Sequence, residues 1–165
     1  MSTFGRPAPV PTPPRFVSLI TWITALIEGL PLDESLEHIL ESAFPVNGPV
    51  FNEIEALCRT GVAEGWLCAR EADGIRFGRP VKPGLETHGF SVDVVEMTDV
   101  VGPHHAHPNG EIDMIMPLDE AAAFDGRPRG WKVYEAGTAH RPTVTGGRAL
   151  VLYLLPEGAI VFSTA

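Results

Sequence analysis

The chain has 165 residues, 44% of them hydrophobic and 20% charged, with a net charge of −9 and a pI near 5.0. This length supports one or two small domains with a buried core. The acidic surface repels phosphate backbones and no basic patch offsets it, Arg127 and Arg129 being the densest pair, so nucleic acid is not an expected partner.

Residues 1–15 carry Pro7, Pro9, Pro11, Pro13 and Pro14 and read as an extended arm without helix or strand. From Phe16 to Leu30 apolar residues recur every three or four positions, an amphipathic helix that Pro31 ends. Asp33 is the N-cap of a second helix to Ser42, with Leu36, Ile39 and Leu40 as its buried stripe and His38 on its outer side. A third helix spans about Val50–Ala63. Asp73-Gly74 then joins Trp66–Arg70 to Ile75–Gly78 as a hairpin. Three helices and a hairpin imitate a winged helix. The third helix and its exit nevertheless carry Glu53, Glu55 and Glu64 against Arg59, which argues for a cap or a dimer contact rather than DNA binding. Cys58 and Cys68 are too few for a disulfide framework, no leader opens the chain and no apolar run spans a membrane, so a cytoplasmic protein with reduced thiols is expected.

From Phe90 the pattern becomes extended. Ser91–Met97 alternates, residues 117–130 form a polar loop, Trp131–Tyr134 is a strand, Arg148–Leu155 is a buried strand and Ala159–Phe162 a last one that closes the β unit. Within this half lies Gly102-Pro-His-His-Ala-His-Pro-Asn-Gly-Glu111. His105 and His107 are two apart, so a strand turns both to one face, and His104 to the other. Pro108-Asn-Gly110 is a turn that returns Glu111 towards them, and His140 follows 29 residues later. Three imidazoles and a carboxylate suit one divalent transition metal: iron, manganese, nickel, cobalt or zinc.

The spacing His105-x-His107-x-x-x-Glu111 with Gly137-x-x-His140 resembles the two metal-binding motifs of the cupin superfamily. The resemblance implies that these four residues are metal ligands inside a small jelly-roll barrel. It departs from the pattern where turn glycines are expected, at Asp99 and Leu118, and in the second motif at Glu135 and Val144. The fold class expected is therefore α+β, with a proline-rich arm (1–15), a helical segment with the start of a hairpin (16–74) and a cupin-like barrel (75–165).

Residues beside the motif carry the candidate chemistry. Asp113 shares the face of Glu111 and either acts as general acid or base or hydrogen-bonds a ligand imidazole. Arg76, Arg79 and Arg141 are candidates to clamp an anionic substrate, and Trp131, Tyr134 and Tyr153 to wall an aromatic pocket. From about Leu19 to Phe162 the chain is similar to the bacterial 4-hydroxylaminobenzoate lyases, on Gly102–Met114 and Gly137-Thr-Ala-His-Arg-Pro142. That resemblance implies conversion of 4-hydroxylaminobenzoate, a small aromatic carboxylate, to 3,4-dihydroxybenzoate (protocatechuate) and ammonia in nitroaromatic degradation. No glycine-rich dinucleotide fingerprint is present, so no nucleotide cofactor is expected. The competing readings are a cupin dioxygenase or isomerase acting on an aromatic or sugar acid, and a non-catalytic ligand-sensing cupin. Cupin resemblance and the apolar helical segment imply a homodimer or larger homo-oligomer.

Overall fold

A computed structural model describes residues 10–163, so most of the expected arm, with Pro7 and Pro9, lies outside the described residues. Helix α1 spans Pro14–Ile27, α2 Glu34–Ala43 and α3 Pro49–Glu64. α1 begins inside the expected arm because Pro14 occupies the first helical position, where a missing N–H is harmless. It stops at Ile27, short of Pro31, where Gly29 at φ +78° turns the chain. Asp33 caps α2 by accepting from the Leu36 N–H at 3.1 Å. In the expected stripe Leu36 and Leu40 are buried but Ile39 is exposed.

The hairpin joins β1 (Arg70–Ala72) to β2 (Ile75–Val81), and Asp73 and Gly74 both take positive φ, as a two-residue turn requires. β3 (Phe90–Val101), β5 (Glu111–Pro117), β7 (Gly130–Tyr134) and β9 (Thr143–Pro156) complete one antiparallel sheet in the order β1-β2-β3-β9-β5-β7, and β6 (Ala123–Phe124) adds to β9. A second, three-stranded sheet has the order β10-β4-β8, from Val161–Phe162, His105–His107 and Thr138–His140. Among the described residues the architecture is the expected α+β one: three α-helices, then antiparallel β-structure in two sheets. The hydrogen bonding does not run round a closed barrel. Among the described residues the last strand, expected to close it, pairs only with β4 at the edge of the smaller sheet.

Strand alternation divides the main sheet into two faces. Val92, Val94, Ile112, Met114, Met116, Leu150, Leu152 and Leu154 pack with the helices in one apolar core. The neighbouring residues Met97, Ile115, Val151, Tyr153 and Leu155 form a second cluster, beneath the smaller sheet. Glu37 of α2, buried, stitches the helices to the sheet by accepting from the Val133 N–H and from Arg127, both at 3.0 Å. Asp99, where the motif expects glycine, itself takes φ +41° at a shift in register between β3 and β9, a conformation that Asp tolerates better than most residues.

Candidate metal centre

Four side chains from both sheets meet at one point. His105 and His107 project from β4, whose buried–half-buried–buried alternation turns both inward. Gly110, at φ +87°, turns the chain so that Glu111 opens β5 facing them, and a side chain there would strike Leu32 and the Tyr134 carbonyl. β8 lies antiparallel to β4 with His140 opposite His105. One ligand atom from each of His105, His107, Glu111 and His140 lies within 4.8 Å of every other. His105, His107 and Glu111 are buried and His140 is nearly so.

The hydrogen bonds around the cluster assign the proton of His107. The Thr138 hydroxyl donates to the Glu135 carbonyl at 2.7 Å, so its oxygen accepts from His107 Nδ1 at 2.9 Å and Nε2 of that ring is bare. His105 Nε2 and His140 Nε2 stand 3.2 Å apart. His107 Nε2 and His105 Nε2 lie 3.3 and 3.5 Å from Glu111 Oε1 without the alignment of a hydrogen bond, and both Glu111 oxygens are buried and unpartnered. A bare His107 Nε2 facing an unpartnered carboxylate is repelled by it unless a cation lies between them. The donor set therefore fits a divalent transition metal.

Asp113 is fully buried on the same face, and both of its oxygens lack partners. Burial first, then the charge of Glu111, pushes its carboxyl well above the ordinary range. Burial also opposes the charge of Glu111, but the facing His105 and His107 and the Asp113 carboxyl outweigh it and keep Glu111 ionised.

A cavity of about 650 Å³ reaches the cluster at His105. Ile75, Phe77, Met97, Tyr153 and Phe162 give it apolar walls, and Arg79 and Asp93 also line it. Arg79 makes a two-pronged pair with Asp93 at 2.7 and 3.0 Å and donates to the Gly158 carbonyl. The other candidate arginines are not brought there. Arg76 pairs with Glu96 at 3.4 Å, and Arg141 is exposed. Trp131 does not wall the cavity either. Three positions from Tyr134 on a strand, it points to the opposite face, packs edge-on against Phe51 and donates Nε1–H to the Phe44 carbonyl. Tyr134 does face the cluster, its ring centroid 4.5 Å from that of His140 and 5.2 Å from that of His107. His104, half-buried, lies outside the cluster.

Two polar residues at the site escaped the sequence reading. Thr138 sits between the second-motif glycine and His140, and its place opposite His107 follows from the β4–β8 register. Asp125 lies in the segment read as a polar loop, where Phe124, fully buried, belongs to β6. The only signal for it was a Phe-Asp-Gly turn.

Residues 18–162 match the family described as PnbB, 4-hydroxylaminobenzoate lyase. A protein of that name from Nocardioides sp. (strain LMS-CY) is 34% identical over 139 residues, covering 78% of this chain and 82% of its own length. Another, from Pseudomonas putida, is 30% identical over 90% of this chain and 94% of its own length. Among solved structures, an RmlC-like cupin protein from Ralstonia eutropha overlaps 57% of this chain and 62% of its own, at TM-score 0.42 and 13% identity. A putative acetylacetone dioxygenase from Methylibium petroleiphilum overlaps 56% and 68%, at TM-score 0.43 and 14% identity.

Proposed function

The chain belongs to the 4-hydroxylaminobenzoate lyase family, and from that membership we propose that it converts 4-hydroxylaminobenzoate and water to 3,4-dihydroxybenzoate and ammonia. The atoms balance without an external oxidant, because cleavage of the N–O bond supplies the oxidising equivalent. The observation that carries the reading is the convergence of His105, His107, Glu111 and His140, with both Glu111 oxygens unpartnered, at the end of an apolar cavity. A divalent cation held by these four residues supplies Lewis acidity and lowers the pKa of bound water.

The remaining roles belong to the chain's own side chains. Phe77, Tyr153 and Phe162 enclose a planar ring and keep bulk water from it. Arg79 holds the substrate carboxylate away from the cluster, with Asp93 fixing the guanidinium. Asp113 carries the proton that the departing nitrogen needs, at its buried carboxyl. A cytoplasmic homo-oligomer belongs to the same reading, and sedimentation would read its size.

Metal-replete protein incubated with 4-hydroxylaminobenzoate should release ammonia and a catechol in equal amounts. Oxygen uptake, or a product of unchanged mass, would point instead to a dioxygenase or an isomerase. Arg79→Gln should raise KM for this substrate by about tenfold or more and change kcat less, as removal of a charged contact shared by ground and transition states does. An unchanged KM removes Arg79 from the site.

A further inference from the structure

Asp125 meets donors from three strands. Its Oδ2 accepts from His140 Nδ1 at 2.7 Å and from the Tyr134 hydroxyl, and its Oδ1 accepts from the Thr143 N–H at 2.9 Å. Its own N–H donates to the Thr143 carbonyl at 2.8 Å, so main chain and side chain are both tied to β9. The residue takes φ +50°, a conformation held here by contacts on both sides.

With Oδ2 taking the Tyr134 hydroxyl and Oδ1 the Thr143 N–H, both oxygens of the side chain serve as acceptors, so His140 carries its proton on Nδ1 and presents a bare Nε2. That Nε2 is the atom 3.2 Å from His105 Nε2 and 4.0 Å from Glu111 Oε2. We propose that Asp125 is a positioning residue, fixing the tautomer and direction of His140 and thereby setting how tightly the cluster binds its cation. Tyr134 braces the same imidazole from a second side, its ring against that of His140 while its hydroxyl holds Asp125. The inference rests on the metal reading above, and it reaches His140 through residues that the motif spacing does not contain.

Asp125→Asn separates this role from a merely structural one. With the Thr143 N–H holding the amide oxygen, the amide nitrogen faces His140 Nδ1 and, as a donor, drives the imidazole proton to Nε2. Circular dichroism of the metal-free variant should match wild type, and zinc affinity, read by competition with a chromophoric chelator, should fall about 10–100-fold. Nitrogen-15 NMR of histidine-labelled, metal-free wild type, above the imidazole pKa, should find His140 protonated at Nδ1. A folded Asp125→Asn protein with wild-type zinc affinity overturns the proposal. So does a wild-type His140 protonated at Nε2, a measurement that stands even where the variant does not fold. Wild type that binds no zinc would count against the metal reading itself, and the NMR result would still judge Asp125.

Discussion

The two faces of the main sheet are made by the same strands and do opposite things. On β5, Ile112, Met114 and Met116 face the helices and Glu111 and Asp113 face the smaller sheet, residue by residue in alternation. On β9, Leu150, Leu152 and Leu154 alternate with Val151, Tyr153 and Leu155. Those six helix-side side chains are all apolar and need no partner beyond shape. The other face buries ionisable groups whose desolvation is offset by hydrogen bonds and by whatever cation they bind. Stability and chemistry are thus a single residue apart along the chain. A one-residue slip in register would exchange them.

If the division holds, changes on one face should leave the other's property alone. Glu111→Gln should weaken zinc binding by more than about 100-fold, beyond the loss caused by an outer partner of a ligand, while the metal-free Tm moves little; chelator competition and calorimetry read the two. Leu152→Ala should do the reverse. It should cost about 2–5 kcal/mol, a Tm fall on the order of 10 °C, with zinc affinity of the folded fraction unchanged. An affinity that falls along with the Tm would break the comparison.

A pH series sharpens it. The folded pKa of Asp113 is raised above its ordinary value of 3.8. The stability it contributes is therefore complete below about pH 4 and is lost as pH rises through the folded value. Asp113→Asn does not titrate. Without metal, its Tm should gain on wild type as pH rises from about 4 towards neutrality. A difference that does not change with pH would mean that Asp113 is not held neutral. The smallest effect expected is on the helical side: Asp33→Ala removes the cap of α2, about 1 kcal/mol or roughly 2–4 °C in Tm, with no change at the metal centre.

Local signals in the sequence were enough for part of this. Asp33 before Glu34, Asp73-Gly74 between two extended runs, and His105-x-His107 each act within a few residues, where alternation or capping decides the outcome. His140, 29 residues past Glu111, joined them by residue type and by resemblance, since nothing local distinguishes it from His38. Asp125 was lost because its role depends on β6 pairing with β9 across a loop, a contact between distant residues. Trp131 went to the wrong side for a simpler reason: its parity along β7 is opposite to that of Tyr134, and alternation alone separates them.

The Glu37 stitch makes the helices hard to dispense with. A miniaturised catalyst trimmed to start at residue 75 would leave the Val133 amide without its acceptor and Arg127 without its anchor, two positions from the carboxylate that steers His140. It would also bare the apolar underside of β5 and β9 to water. Anyone shrinking this scaffold should keep α2 and redesign elsewhere.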